Sequence, residues 1–225
     1  ETKDLYFITL TISDGIEVIS KNIEIYINDI PELNTSQTYP LSIDEYDYTY
    51  FERSSLIFSV EEVASFNSRL WGLKFVNESF LLATEQNGFF HLLDIQSQEI
   101  FTMDVKDHID LFTEDQGGIF NFSIEAASED LFQVYFVASI FDEFDRSKKK
   151  LSLYRLNLDL SNYTFSVPEK IYETSGEISS GHFGGAIEII DDSIFISSGD
   201  RRCRSCPQDI QSNIGKILRF KIDEN

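Results

Sequence analysis

Residues 181–219 read GHFGGAIEIIDDSIFISSGDRRCRSCPQDIQSNIGKILR, and this stretch decides the fold. Two apolar-rich runs flank Asp191-Asp192, and a Gly199-Asp200 turn and a loop lead into another such run. Short runs bounded by turn residues are typical of antiparallel strands. His182 stands where the first run begins, and all-β folds keep much of their chemistry at strand ends and loops. The stretch therefore predicts sheet structure with a candidate site at one edge.

Similar short runs recur from about residue 56 onward. No long stretch with the 3.6-residue apolar repeat of a helix interrupts them. The predicted strands are 71–76, 80–84, 88–93, 118–124, 131–139, 151–158, 164–172, 183–190, 194–198 and 217–222. This spacing predicts an all-β sandwich, barrel or propeller, and the repeated unit of strand, turn, strand and polar loop favours propeller blades. A blade takes about 40 residues. The fold class expected is therefore a partial six-bladed β-propeller containing the N-terminal three to four blades.

The N-terminal part follows another pattern. Alternating residues flank Ser13-Asp14-Gly15, which predicts a β-hairpin. The closing Ile27-Asn28-Asp29-Ile30-Pro31-Glu32 resembles the end of a cadherin-like or immunoglobulin-like repeat. We therefore interpret residues 1–32 as the remnant of a β-sandwich repeat, 33–55 as an acidic linker and 56–225 as the partial propeller. On this interpretation the chain is a fragment of a longer protein.

The net charge and the lengths of the apolar runs argue against two kinds of partner. The formal net charge is −21, from 39 acidic and 18 basic residues. Nucleic-acid binding needs clustered Lys and Arg, so no nucleic-acid partner is expected. No apolar run reaches the roughly 18 residues of a transmembrane helix, so no membrane insertion is expected either.

The two cysteines form a single Cys203-x-x-Cys206 pair. One pair is half of a zinc site, and the strand–helix setting of a thioredoxin-like motif is missing. A loop disulfide in an oxidising compartment and two free thiols both remain open. No metal ligand is assigned.

Several ordered blocks resemble the glucose/sorbosone dehydrogenase family, the soluble quinoprotein β-propellers. These are Trp71-Gly72-Leu73-Lys74-Phe75, Asp115-Gln116-Gly117-Gly118-Ile119, Gly181-His182-Phe183-Gly184-Gly185, Ser198-Gly199-Asp200, Gln208-Asp209 and Gly215-Lys216-Ile217-Leu218-Arg219. The resemblance implies that His182 is the catalytic general base, taking a proton from a sugar hydroxyl as hydride passes to pyrroloquinoline quinone (PQQ). It further implies that Gln116 contacts cofactor and sugar and that Gln208 binds the substrate. The implied cofactors are PQQ and calcium, the implied substrate is an aldose or related alcohol, and the implied location is extracellular or periplasmic.

The resemblance has departures. Gly181 precedes His182 where some members carry an acidic residue that assists the histidine. Asp200 is expected to cap its own turn, and Arg201, Arg202 and Arg204 are expected to form local salt bridges or to pair with quinone carboxylates. In the family the groups that hold quinone and calcium come mostly from later blades, so this chain alone is expected to be inactive.

A second hypothesis is a non-catalytic extracellular propeller that binds carbohydrate or protein, as the Hedgehog-interacting branch of the fold implies. Fold alone does not decide between an enzyme and a binding module.

Overall fold

The computed structural model describes residues 4–13, 18–27, 63–66 and 68–222, with only the backbone described in the first two ranges. The chain divides into two compact units, Glu1–Glu61 and Glu62–Asn225. The predicted linker, 33–55, lies outside the described residues.

The first unit contains the predicted hairpin. Strand β1 (Asp4–Ser13) pairs antiparallel with β2 (Val18–Ile27), and Ser13 lies opposite Val18 at the closed end. The pairing predicted from the alternating pattern is thereby confirmed, while the Asp14-Gly15 turn lies outside the described residues. The cadherin-like or immunoglobulin-like assignment, and with it the domain boundaries, stays a prediction.

The second unit is built from three antiparallel sheets, each formed by strands that follow one another in sequence. The first contains β3 (Leu70–Phe75), β4 (Phe80–Glu85), β5 (Phe89–Asp94) and β6 (Ile100–Asp104). The second contains β7 (Ile119–Ala126), β8 (Leu131–Phe141), β9 (Lys149–Asp159), β10 (Thr164–Phe165) and β11 (Glu169–Glu173). The third contains β12 (Gly184–Ile190), β13 (Ser193–Ser198) and β14 (Lys216–Lys221).

Two hydrophobic cores join the sheets face to face. The first core lies between the first and second sheets and includes Phe90, Phe122 and Phe136, while the second includes Val137 and Ile196 and joins the second and third sheets. Strand β8 sends alternate side chains into the two cores, so it is buried on both faces. The leading strands of the sheets also touch, β3 with β7 and β7 with β12. This arrangement is that of consecutive propeller blades, with β3, β7 and β12 innermost.

The partial propeller predicted from the strand spacing is confirmed, with differences in two elements. Strand β6 was not predicted, although it pairs along β5. The strand predicted at 164–172 is divided into β10 and β11, which both pair with β9. Pro168 lies between them, and proline has no N–H to donate to a neighbouring strand. No α-helix occurs in the described residues, and no helix there is long and apolar enough to cross a membrane.

Candidate active site

A cavity of about 550 Å³ opens where the innermost strands begin. Its lining comes from the first residues of β3, β7 and β12 and from the loops before them, so each sheet contributes to it. Among the lining residues are Trp71, Gln116, Phe120, Asn121 and His182. This volume is within the range of about 300–1,000 Å³ typical of small-molecule sites.

His182 lies in the loop that enters β12. Its φ is +55°, a left-handed conformation that is uncommon for a residue with a side chain. Its backbone N–H donates to Oε1 of Gln116 at 2.8 Å, and its ring Nδ1 lies 2.8 Å from Oδ1 of Asp200. The ring is 49% exposed, so it can meet a ligand from solvent.

Asp200 defines the tautomer of the neutral His182 ring. Its Oδ1 also accepts the backbone N–H of Arg202 at 3.0 Å. That N–H and, next, the His182 ring hold the pKa of the Asp200 carboxyl below its usual value. An ionised Asp200 can only accept a hydrogen bond, so Nδ1 of His182 carries a proton, and in the neutral ring the lone pair is on Nε2. No group within the described part of the chain bonds Nε2, which is therefore free to accept a proton.

Gln116 precedes β7 and reaches across to the third sheet. Its Oε1 is occupied by the His182 N–H, while its Nε2 amide has no partner among the residues described. The approach is possible because residue 181 is glycine: a Cβ there would lie 2.9 Å from Oε1 of Gln116. The amide therefore offers two N–H donors toward the cavity.

Aromatic rings form one side of the cavity. Trp71 stacks on Phe120 with ring centroids 5.6 Å apart and an interplanar angle of 18°. Phe120 in turn contacts Phe183, with centroids 5.4 Å apart. The three rings come from the innermost strand regions of three different sheets, so they join the sheets while providing an aromatic wall.

The remaining site residue from the sequence, Gln208, is not brought to the cavity. It ends the 3-10 turn Cys206–Gln208 and is not among the described residues that line the cavity. The loop is closed by a disulfide between Cys203 and Cys206, whose Cα atoms are 5.4 Å apart. This bond decides between the two states that the sequence left open.

The three arginines of this loop differ in burial and in their hydrogen-bond partners. The expected salt bridge of Arg201 is not what the structure contains, because this side chain is 3% exposed and donates to backbone carbonyls instead. Arg202 and Arg204 are exposed. Burial explains the difference, since it places the Arg201 guanidinium among carbonyl groups rather than at the acidic surface.

Sequence reasoning placed Asp200 in a turn but missed its bond to His182. Antiparallel pairing of Gly184 with Ser198 brings the residues that flank the β12–β13 hairpin together. Continuing that register two residues outward would have paired His182 with Asp200. An acidic partner is therefore present, although it does not precede the histidine in sequence as in some family members.

These features define a class: a β-propeller whose innermost strands carry a polar site with a paired histidine and carboxylate at one mouth. A sequence model described as Glucose / Sorbosone dehydrogenase matches residues 67–225, which is more than half of the chain. The chain belongs to the glucose/sorbosone dehydrogenase family. No curated protein matches it.

Solved structures have the same fold. A glucose dehydrogenase superposes with a TM-score of 0.59 at 22% identity, covering 68% of this chain and 48% of that one. A second glucose dehydrogenase has a TM-score of 0.60 at 23% identity, with 72% and 46% covered. The soluble aldose sugar dehydrogenase of Escherichia coli, in its apo-form, has a TM-score of 0.57 at 19% identity, with 69% and 44% covered. The chain thus spans about half the length of these proteins.

Proposed function

We propose that this chain is the part of a quinoprotein sugar dehydrogenase that carries its general base. The observation that carries the proposal is the pairing of Nδ1 of His182 with Asp200 at 2.8 Å, beside a cavity that Gln116 also lines. Family membership supports a sugar-dehydrogenase fold. A site used only for binding would not need a histidine whose tautomer is fixed by a carboxylate.

The chain's own residues suggest the following proton transfer. Asp200 accepts the Nδ1–H bond, so the neutral His182 ring carries its lone pair on Nε2. Nε2 then takes the proton from the substrate hydroxyl, and the Asp200 carboxylate stabilises the imidazolium that results. A base placed in this way contributes about 10²–10⁴-fold to a rate. We propose aldoses or related alcohols as substrates.

The cavity is suited to a flat quinone. Its aromatic wall at Trp71 is planar, and the free Nε2 amide of Gln116 can donate to a carbonyl oxygen. Bound PQQ would supply the acceptor for the hydride that leaves the sugar. Gln116 would hold it from this chain, together with the wall. We assign no calcium ligand here, since the described residues contain no cluster of three or more metal-binding side chains.

An extracellular or periplasmic location is part of the same proposal. The Cys203–Cys206 disulfide supports it, because such bonds persist mainly in oxidising compartments.

The test uses the full-length natural protein supplied with PQQ, calcium, an aldose and an artificial electron acceptor. We expect turnover, and we expect His182→Gln to lower kcat by at least about 10²-fold while quinone binding, followed by calorimetry, persists. His108→Gln is the matched control because His108 is exposed and outside the cavity lining. A protein that binds no quinone, or a His182→Gln variant with unchanged turnover, would instead favour a propeller that binds carbohydrate or protein.

A further inference from the structure

Arg201 is a buried cation bonded to no carboxylate in the described part of the chain. Its guanidinium lies 3.7 Å from the centre of the Phe183 ring. Burial lowers the pKa of Arg201 to about 10, and Glu177 opposes that effect through its charge. Burying a charge is costly unless other groups compensate for it. The arrangement therefore needs an explanation in what the guanidinium holds.

The guanidinium bonds three backbone carbonyls that lie near the candidate base. Nε donates to the carbonyl of Gly181 at 3.1 Å, and one terminal nitrogen donates to the carbonyl of Ser179. The other terminal nitrogen donates to the carbonyl of Lys149 in β9 at 3.1 Å. The fork thus anchors the segment before His182 to the second sheet.

The turn that contains Gly199 and Arg201 also bonds the C-terminal side of His182. The backbone N–H of Arg201 donates to the carbonyl of His182 at 3.3 Å, and that of Gly199 donates to the carbonyl of Phe183 at 2.7 Å. The fit is close, since a Cβ on Gly199 would lie 1.9 Å from the His182 carbonyl oxygen. His182 is therefore held on both sides by one turn.

This clamp acts on a strained residue. His182 has a φ of +55°, a left-handed conformation that is unfavourable for a residue with a Cβ atom. Such conformations persist where the surroundings enforce them. If the segment relaxed, the ring would move away from Asp200 and the two imidazole tautomers would mix.

We propose that Arg201 is a positioning residue for His182: its guanidinium fixes the carbonyls of Ser179 and Gly181, so the imidazole stays bonded to Asp200 with Nε2 toward the cavity. The proposal rests on the proposed function. Only arginine suits this role, because its planar fork donates in several fixed directions at once, whereas lysine has a single ammonium group. The charge-conserving Arg201→Lys change should therefore fail to restore the clamp.

The experiment compares Arg201→Lys and Arg201→Met with Arg204→Met in the full-length protein. Arg204 is the matched control because it is exposed on the same loop. We expect nitrogen NMR of the imidazoles to show one tautomer of His182, with the proton on Nδ1, in wild type and in Arg204→Met. Both Arg201 variants should show mixed tautomers. Their kcat should fall about 10²-fold, the scale expected for a misplaced catalytic group, with a smaller change in KM.

Native tautomer and kcat in a folded Arg201→Lys protein would overturn the proposal. If Arg201→Met does not fold, Arg201→Lys decides; if neither folds, Arg201 is a folding residue and the proposal is wrong. Failure of the proposed function can be distinguished from failure of this proposal. If wild type has no turnover, the tautomer measurement still tests whether Arg201 positions His182.

Discussion

The side chain of Gln116 and the backbone of His182 are joined by a hydrogen bond of 2.8 Å between Oε1 and the N–H. The bond links the loop before β7 to the loop before β12, so it connects two neighbouring sheets at the mouth of the propeller. It also orients the amide, leaving its N–H groups for a ligand. The candidate site therefore depends on the relative position of two sheets.

Gly181→Ala should disturb this bond. The new Cβ would lie 2.9 Å from Oε1 of Gln116, closer than such contacts allow, so the amide must move. Loss of a typical hydrogen bond costs about 0.5–1.5 kcal/mol, so we expect kcat/KM for the sugar to fall by up to about tenfold. In a Gln116→Ala background, the same substitution should have little further effect; a full additive loss would show that Gly181 acts by another route.

Asp200→Asn should impair the proposed proton transfer more than binding. The amide is nearly isosteric but lacks the charge that stabilises the imidazolium, and it can present N–H₂ to Nδ1, which favours the wrong tautomer. We expect kcat to fall by at least about 10²-fold with little change in KM. Asp209→Asn, in the exposed loop, is the control and should retain wild-type kinetics. Equal kcat in wild type and Asp200→Asn would contradict the pairing's role.

A buried ion-pair cluster predicts a pH window of stability. Lys150, 7% exposed, lies 2.6 Å from Oε1 of Glu173 and 3.3 Å from Oδ2 of Asp142. The Glu173 bond, above all, raises the pKa of Lys150 from 10.5. Burial tends to raise the pKa of Glu173, but the hydrogen bonds from Lys150 and Lys170 outweigh it and lower this pKa from 4.5. The pKa of Asp142 is lowered from 3.8, mainly by the hydrogen bond from the backbone N–H of Phe144 and then by Lys150.

The directions of these pKa shifts determine how the stability of the fold should depend on pH. Carboxyls with lowered pKa values stabilise the fold above their ordinary pKa and lose that effect as pH falls through the folded value. A lysine with a raised pKa stabilises below its ordinary pKa and loses that effect as pH rises through the folded value. We therefore expect Lys150→Met to lower Tm most between about pH 5 and 10, and less outside that window. Lys148→Met, whose ion pair is exposed, should change Tm little at any pH. A Tm difference independent of pH would contradict the ionic explanation.

Removing the disulfide should affect stability but not the site. The bond joins residues three apart in sequence, and closing so short a loop contributes about 2 kcal/mol in the chain-entropy treatment. We expect Cys203→Ser with Cys206→Ser to lower the unfolding free energy by no more than that. Turnover of the full-length protein should stay within about twofold, because neither cysteine lines the cavity. A large loss of turnover would place the loop in the site.

Much of the fold was predictable from local sequence. Turn residues such as Asn77-Glu78-Ser79 and Gly199-Asp200 divide the chain where strands end. Strand β6 was missed because its short run carries a polar flank and depends on pairing with β5. The break between β10 and β11 was visible as Pro168, yet its consequence depends on β9 as a shared partner.

By itself, the sequence determined that the second unit is a series of antiparallel strands and that His182 and Gln116 stand at the starts of two of them. These are local properties of residue type and spacing. Only the tertiary structure decided that Asp200 bonds His182, that Gln116 reaches the same residue and that Arg201 is buried among carbonyls. It also decided that Gln208 is not among the described residues that line the cavity. The reason is that such contacts depend on strand register and on the packing of one sheet against the next, which no single segment of the chain encodes.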